Sequence, residues 1–244
     1  SSINPNLQNI PVRTDEGRRI RRHFKPQPPF SSLLTADYSQ IELRIMAHLS
    51  KDEELISAFK SGEDLHSTMA SLVFGVRPGE VDAEMRRRIK AMSYGLAYGL
   101  SAFGLAAQLD ISASEANDLM GKYLERFGGI QRYLKAVVEQ ARKDGYTETM
   151  FGRRRYLPDL NQENRLRREI AERAALNAPM QGSAADIMKI AMLKVQELLK
   201  GEKFKSRLLL QVHDELIFEV AEGESEKLSE IVRLAMSEAV KLSV

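Results

Sequence analysis

The chain has 244 residues, of which 43% are hydrophobic, enough for one large domain or two smaller ones with a packed core. It contains no cysteine, so disulfides and thiolate metal sites are excluded. No apolar run reaches the ~18 residues of a membrane span, and the polar first residues do not predict a signal peptide. The net charge is only +2, so affinity for a polyanion must come from local clusters of basic residues.

Arginine-rich clusters are present at four places in the chain. The planar guanidinium suits phosphate groups, although a single basic cluster is more often a solvated surface. Four clusters in a nearly neutral chain favour a phosphate-rich partner. They are Arg18–Arg22, Arg86–Lys90, Arg153–Arg155 and Arg165–Arg168.

The first 30 residues are rich in proline and arginine and lack a helical period, so we predict an extended segment there. An apolar run then predicts a buried strand over residues 31–37, followed by a helix over residues 40–49. Asp37 falls at the end of this strand. A carboxylate in this position most often caps the following helix, and its other use is to bind a hard cation such as Mg²⁺. The cation requires a second carboxylate elsewhere in the chain.

The helix predicted over residues 80–99 carries two stripes at helical spacing; it follows two short helices over 52–74 and a turn at Pro78-Gly79. One stripe is apolar and consists of Met85, Ile89, Met92 and Leu96. The neighbouring stripe holds two cations and two aromatic rings, namely Arg86, Lys90, Tyr94 and Tyr98. Cations suit a triphosphate and rings suit a base. The same pattern also fits an amphipathic surface helix with tyrosines at its margin.

Most of the remaining chain is predicted to be helical. The helices are predicted over 101–143, 162–176, 184–199 and 224–240. Gly128-Gly129 interrupts the first of them, and Pro179 is predicted to break the helical structure between the second and the third. Residues 146–157 predict a hairpin around Gly152.

Two apolar runs, 208–212 and 216–220, predict a second hairpin with His213, Asp214 and Glu215 at its tip. Tight hairpin turns prefer Asn-Gly or Asp-Gly because they need positive φ. This tip has charged residues and no glycine, which indicates a role beyond turning the chain.

Asp37 and Asp214 are far apart in sequence, so they meet only if their strands lie in one sheet. Side by side, two such carboxylates can share two Mg²⁺ ions ~3.5–4 Å apart, the arrangement used for in-line phosphoryl transfer. A cationic stripe opposite them would stabilise negative charge in the transition state.

Seven segments resemble motifs of the family A DNA polymerases, in that family's order. Motifs A, B and C are matched by Asp37–Arg44, Arg86–Gly99 and Gln211–Glu215. The other four matches are Pro5–Arg13, Asp64–His66, Gly152–Tyr156 and Asn177–Asp186. The resemblance covers essentially the whole chain, and agreement across seven separated segments is not coincidence.

The resemblance implies a template-directed DNA polymerase that transfers a nucleotide from dNTP to a primer 3′-hydroxyl and releases pyrophosphate. It implies that Asp37, Asp214 and the backbone carbonyl of Tyr38 hold two Mg²⁺ ions. Glu215 would support the metal site and the primer end. Lys90 would protonate the leaving pyrophosphate.

The resemblance also implies a nucleotide site. Arg86 and Lys90 would bind the triphosphate, and Glu42 would block a ribose 2′-hydroxyl. Tyr94 would stack on the sugar and base, and a tyrosine at this position, where other members have phenylalanine, implies ready acceptance of dideoxynucleotides. The remaining residues lining the site would be Gln40 and His66.

Five residues are implied to contact DNA. Tyr98 would occupy the template-base position until the fingers close, and His213 would contact the primer terminus. Arg13, Asn177 and Gln181 would contact the adjacent duplex, partly in the minor groove, where shared acceptors allow correct pairs to be sensed without reading sequence.

The implied fold is α+β, with an antiparallel palm sheet and a mostly helical fingers insertion. Residues 1–47 and 151–244 would form the palm and residues 48–150 the fingers, whose helix 86–98 closes over the nucleotide. The family's thumb, any exonuclease domain and its final strand and helix are expected to be absent from the chain. The implied partners are primer–template DNA and dNTP, with no membrane. The implied state is a monomer in the cytoplasm, either at the nucleoid or as a phage-encoded protein.

Other functions use some of the same residues. A single-subunit RNA polymerase has a related fold, but Glu42 would obstruct a ribose. A two-metal nuclease needs Asp37 and Asp214 but has no need of the stripe on helix 86–98. A non-catalytic nucleic-acid-binding module needs only the arginine clusters.

Overall fold

The computed structural model describes residues 10–12 and 14–244, and the fold class is α+β, as the sequence predicted. The helices are α1 (Asp15–Arg21), α2 (Ile41–Ser50), α3 (Glu53–Lys60), α4 (Leu65–Phe74), α5 (Ala83–Ala97), α6 (Ala102–Leu109), α7 (Ala113–Arg126), α8 (Gly128–Asp144), α9 (Arg165–Gly201) and α10 (Ser225–Ser237). The strands are β1 (Ser32–Asp37), β2 (Tyr146–Glu148), β3 (Arg154–Tyr156), β4 (Arg207–Val212) and β5 (Glu215–Val220). Short 3₁₀ helices lie at Pro78–Glu80 and Pro158–Asn161.

The chain divides into two compact units. The first unit contains the residues up to Ser39 together with Ile187–Lys241, and the second contains Gln40–Asp186 with Leu242–Val244. The long helix α9 contributes to both. The assignment of chain segments to palm and fingers stays a prediction.

The first unit is built on an antiparallel sheet with strand order β1-β5-β4. The central strand β5 alternates in the way a half-buried strand requires, because Leu216, Phe218 and Val220 are all buried. Helix α10 packs against β1 and buries its own apolar face, including Leu228 and Val232. The sheet therefore has a fixed register, since a slip by one residue would turn the apolar side chains of β5 to the other face.

The second unit is mainly helical, and its core contains the predicted apolar face of α5. Ile89, Met92 and Leu96 are buried, whereas Arg86 and Lys90 on the neighbouring stripe are exposed. The predicted hairpin is also present as β2 paired antiparallel with β3. Helix α5 therefore presents its cations away from the core.

A single buried carboxylate joins two helices of the second unit. Asp52 is 4% exposed and caps α3 by accepting a hydrogen bond from the Leu55 N–H at 3.0 Å. It also accepts hydrogen bonds from the first turn of α8, from Gly129 N–H at 2.7 Å and Ile130 N–H at 3.3 Å. The first N–H groups of a helix have no partner within that helix, so Asp52 satisfies donors from both helices. A Cβ at Gly129 would lie 2.8 Å from Asp52, so this close approach requires glycine.

The predicted helix break at Pro179 is wrong, because α9 continues through it over 37 residues. A proline inside a helix loses one backbone hydrogen bond and costs ~3 kcal/mol. Burial compensates for this, because a buried aliphatic or methionine side chain contributes ~1.5–3 kcal/mol. The buried apolar residues on this helix near the proline include Ala175, Met180, Ile187 and Met188.

The extended segment predicted for the first 30 residues contains a helix, α1. Thr14 caps it by accepting a hydrogen bond from the Gly17 N–H at 3.1 Å, and Asp15 and Glu16 lie in its first turn. Acidic residues there stabilise a helix through its dipole. Thr14-Asp15-Glu16 is thus a helix-start signal that the proline-rich composition concealed.

No helix in the described ranges is long and apolar enough to cross a membrane.

Candidate active site

The first unit brings the predicted acidic residues together at one end of its sheet. Strands β1 and β5 pair in a register that sets Asp37, the last residue of β1, opposite Glu215, the first residue of β5. The backbone N–H of Tyr38 donates to the carbonyl oxygen of Asp214 at 3.2 Å. Asp37, the last residue of β1, therefore lies beside Asp214, the turn residue just before β5, and the two strands belong to one sheet, as the sequence argument required.

The acidic residues influence one another electrostatically. The pKa of the Asp37 carboxyl is raised, first by its partial burial and then by the negative charges of Asp214 and Glu215. Like charges held close together disfavour ionisation, so this end of the sheet concentrates negative charge that a cation would offset.

Tyr38 uses its phenol for packing within the first unit. Its hydroxyl donates to the Met236 carbonyl oxygen at 2.7 Å, and burial raises the pKa of the phenol to about 12. The side chain thus anchors β1 to α10, which leaves the backbone carbonyl as the group predicted to contact metal.

The turn between β4 and β5 consists of His213 and Asp214, because Glu215 already belongs to β5. The sequence analysis predicted that all three residues lie in the turn. This is wrong for Glu215, which is the first residue of β5. His213 has φ 54°, the left-handed conformation that tight hairpins need in the turn. Glycine adopts it most easily and other residues only uncommonly, so contacts around His213 help to hold it in this conformation. One of these is the Gln211 side-chain amide, which donates to the His213 carbonyl oxygen at 2.7 Å.

Asp37 does not cap α2, so the more common explanation of this residue is wrong. The N-cap is Gln40, which has φ 57° and makes no side-chain capping hydrogen bond. The first turn of α2 holds Glu42, which is half-buried. Gln40 and His213 both have positive φ, but so do Lys51, Asp110 and Lys203, for which no role is predicted, so this conformation does not by itself mark the site.

The second unit gathers the predicted nucleotide-site residues of α4 and α5. The His66 ring lies 5.9 Å from the Tyr94 ring, centroid to centroid. His66 is 2% exposed, and its Nδ1 has no hydrogen-bond partner in the described part of the chain. The pKa of His66 is lowered to about 4, chiefly by burial; the charge of Asp64 opposes this shift, and the charges of Lys90 and Arg86 add to it. His66 is therefore neutral at physiological pH beside two cations.

The guanidinium of Arg86 is held by the carboxylate of Asp64. Arg86 Nε donates to Oδ1 at 2.8 Å and Nη2 donates to Oδ2 at 2.9 Å. Asp64 belongs to a segment that the sequence singled out, but no role was predicted for it. The sequence signal was its position directly before a helix, which is typical of an N-cap.

Two of the residues predicted to contact duplex DNA, Asn177 and Gln181, lie at different depths in the second unit. Gln181 is exposed on α9, whereas the side-chain Oδ1 of Asn177 is buried without a hydrogen-bond partner in the ranges described. Tyr98, which was predicted to occupy the template-base position, is the C-cap of α5 and is 42% exposed. Arg13 lies outside the described residues.

Comparison with known proteins identifies the family. A sequence model of DNA polymerase family A matches residues 1–244. The chain belongs to the family A DNA polymerases. The resemblance of its motifs to that family is thereby confirmed.

Relatives of this family A chain are longer than it is. DNA polymerase I of Mycobacterium bovis is 63% identical, and the match covers 100% of this chain and 27% of that protein. DNA polymerase I of Streptococcus pneumoniae is 51% identical, with 100% and 28% covered. The solved POL domain of Pol1 from M. smegmatis, in complex with DNA primer-template and dNTP, is 62% identical with a TM-score of 0.94 and covers 100% of this chain and 43% of that chain. The chain thus spans about a quarter of the length of these curated relatives.

Family A polymerases generally depend on a divalent metal, and the acidic end of the sheet fits one. Mg²⁺ prefers oxygen ligands and retains several waters, so one or two carboxylates suffice. Asp37 and Asp214 carry such oxygens at neighbouring positions, and partial burial, followed by the negative charges of Asp214 and Glu215, raises the pKa of Asp37. Among the described residues, no group of three or more His, Cys, Asp or Glu side chains is arranged to hold a metal. The predicted set has only two carboxylates and a backbone carbonyl.

Proposed function

We propose that the chain carries the nucleotidyl-transfer centre of a template-directed DNA polymerase. The primer 3′-oxygen bonds to the α-phosphorus of a dNTP, the bond from that phosphorus to the bridging oxygen breaks, and pyrophosphate leaves. The observation that carries the proposal is the register of β1 and β5, which sets Asp37 opposite Glu215 and beside Asp214. Membership of family A supports it, as does the POL domain from M. smegmatis, which is described with DNA primer-template and dNTP.

In this proposal Asp37, Asp214 and the Tyr38 carbonyl hold two Mg²⁺ ions. The chemistry that such ions supply is activation of the hydroxyl and stabilisation of charge on the phosphate. The two aspartates must be ionised to act as ligands, and Glu215 keeps the site anionic and supports the primer end. The Tyr38 phenol bound to α10 holds the end of β1 in place.

The triphosphate is assigned to the cations of α5. Arg86 and Lys90 are exposed on that helix, one turn apart, and charge-assisted hydrogen bonds to phosphate are stronger than neutral ones. Lys90 delivers a proton to the leaving pyrophosphate from its ammonium group. Neutral His66 lines this site and offers a polar group without adding charge.

The remaining residues select the sugar, the base and the DNA. Tyr94 stacks on the incoming nucleotide, Glu42 excludes a 2′-hydroxyl, and Gln40 lines the site. The DNA is contacted by Tyr98, His213, Arg13, Asn177 and Gln181. Residues 1–47 and 151–244 serve as palm and residues 48–150 as fingers. We expect a monomer in the bacterial cytoplasm, associated with the nucleoid or encoded by a phage.

Primer extension by the full-length protein with Mg²⁺ tests the proposal. The wild type should extend a primer with dNTP and discriminate against NTP. Asp214→Asn should slow extension by at least ~100-fold, because a metal ligand contributes several kcal/mol to the transition state. Glu222→Gln removes an exposed charge just after β5 and should leave the rate unchanged.

Each rival function gives a different result in this assay. Preference for NTP would indicate an RNA polymerase, and primer degradation without extension would indicate a nuclease. Salt-dependent DNA binding that survives Asp37→Ala and Asp214→Ala, without any extension by the wild type, would indicate a non-catalytic module. Any of these results would contradict the proposal.

A further inference from the structure

Asp64 has no role in the proposed reaction, but its carboxylate accepts hydrogen bonds from Arg86, which is assigned to the triphosphate. It is the N-cap of α4, and its Oδ1 accepts hydrogen bonds from the Ser67 N–H at 2.9 Å and the Ser67 hydroxyl at 2.8 Å. The same carboxylate accepts the bidentate pair from Arg86. This pairing holds the pKa of Asp64 well below its usual range, so the carboxylate is ionised at neutral pH.

Asp64 occupies only one edge of the Arg86 guanidinium. A guanidinium has five N–H donors in a rigid plane, and Asp64 takes one on Nε and one on Nη2. The opposite edge, formed by Nη1 and the second N–H of Nη2, has no protein acceptor in the part of the chain that the structure describes. The Arg86 side chain as a whole is 44% exposed, so a ligand in solution can reach it.

We propose that Asp64 is a positioning residue that fixes the Arg86 guanidinium so that its free edge meets the phosphates of the nucleotide. This inference rests on the proposed function, which assigns Arg86 to the triphosphate. A long side chain that becomes immobilised only when the nucleotide binds lowers the affinity for that nucleotide. The ion pair with Asp64 already immobilises the Arg86 side chain in the free protein. The aspartate thereby raises nucleotide affinity through Arg86 without touching the nucleotide.

The alternative is that Asp64 takes the place of a phosphate and leaves when the nucleotide binds. The helix start argues against this, because Asp64 is itself tied to Ser67 by two hydrogen bonds and caps α4. Its departure would leave the first turn of that helix without its cap. The two possibilities predict opposite changes in the KM for dNTP, since a positioning residue lowers KM and a competitor raises it.

The test is steady-state primer extension by the full-length protein carrying Asp64→Ser. Serine still caps α4 but is too short to hold the guanidinium. The KM for dNTP should rise about threefold to tenfold, as expected when a long side chain loses its prior immobilisation, while kcat stays nearly unchanged. Asp82→Ser is the matched control, because Asp82 caps α5 through the Met85 N–H at 2.7 Å and has no ion pair with arginine in the described ranges. The control should leave KM unchanged.

A double-mutant cycle with Arg86→Ala shows whether Asp64 acts through Arg86. The KM change caused by Asp64→Ser should vanish when Arg86 is already alanine. His66 does not confound this comparison, because its pKa of about 4 keeps it neutral and Asp64 only raises that pKa.

The outcomes separate this inference from the proposed function. If Arg86→Ala raises KM but Asp64→Ser leaves it unchanged, lowers it, or raises it equally in both backgrounds, the positioning role is refuted and the proposed function stands. If Arg86→Ala itself leaves KM unchanged, the assignment of Arg86 to the triphosphate fails and the positioning role fails with it.

Discussion

Replacing Asp52 by alanine should destabilise the second unit severely. The change removes the cap of α3, which costs ~1 kcal/mol. It also leaves the buried N–H groups of Gly129 and Ile130 without an acceptor, at ~1–3 kcal/mol each. Together these give ~3–7 kcal/mol, and the middle of that range, ~5 kcal/mol, lowers the melting temperature by ~10–20 °C for a chain of this size.

Thermal melting followed by circular dichroism measures this effect, and amide hydrogen exchange at Gly129 and Ile130 locates it. Ser112→Ala is the control, because Ser112 caps α7 at an exposed position and should lower the melting temperature by only ~2–4 °C. If Asp52→Ala melts no lower than Ser112→Ala, then the buried carboxylate does not join the two helices energetically.

Three further predictions concern the candidate site. His66 should titrate near pH 4 by NMR. The free energy of unfolding should fall as the pH drops from 6.5 toward 4, because the histidine of the unfolded chain takes up its proton at the higher pH. In His66→Gln this part of the pH dependence should be absent, and the same dependence in both proteins would contradict the lowered pKa of His66. Asp214→Asn should raise the melting temperature at neutral pH without added Mg²⁺, because it removes a charge that raises the pKa of Asp37; a lower melting temperature would mean that the acid is structural. Tyr94→Phe should reduce chain termination by dideoxynucleotides in primer extension, and equal termination by both proteins would count against the role of Tyr94.

Much of the local structure follows from patterns that the sequence displays. The apolar spacing of Ile89, Met92 and Leu96 predicted α5 and its buried face, and the apolar run from Leu216 to Val220 predicted β5. Pairing of β1 with β5 is a long-range contact with no local signal. The sequence analysis predicted only that the two strands lie in one sheet, because a metal site needs Asp37 and Asp214 in one place.

The failures share a cause, which is that tertiary contacts outweigh local rules. Pro179 breaks helices locally, yet burial on α9 keeps that helix continuous. Asp52 binds an N–H group 77 residues away, and Asp64 binds an arginine 22 residues away. Neither partner can be identified from spacing alone. The positive φ of His213 was likewise not predicted. The sequence did contain a signal for it, because a tight turn without glycine must place another residue at positive φ.

The most direct test of the central claim is the single-turnover rate of primer extension by Asp37→Asn, Asp214→Asn and the double variant of the full-length protein. Residues that act as one centre are strongly non-additive. Each single variant should therefore be slowed by at least ~100-fold, and the double variant should be little slower than either. Single variants that extend at the wild-type rate, or losses that multiply in the double variant, would contradict one shared centre built from these two acids.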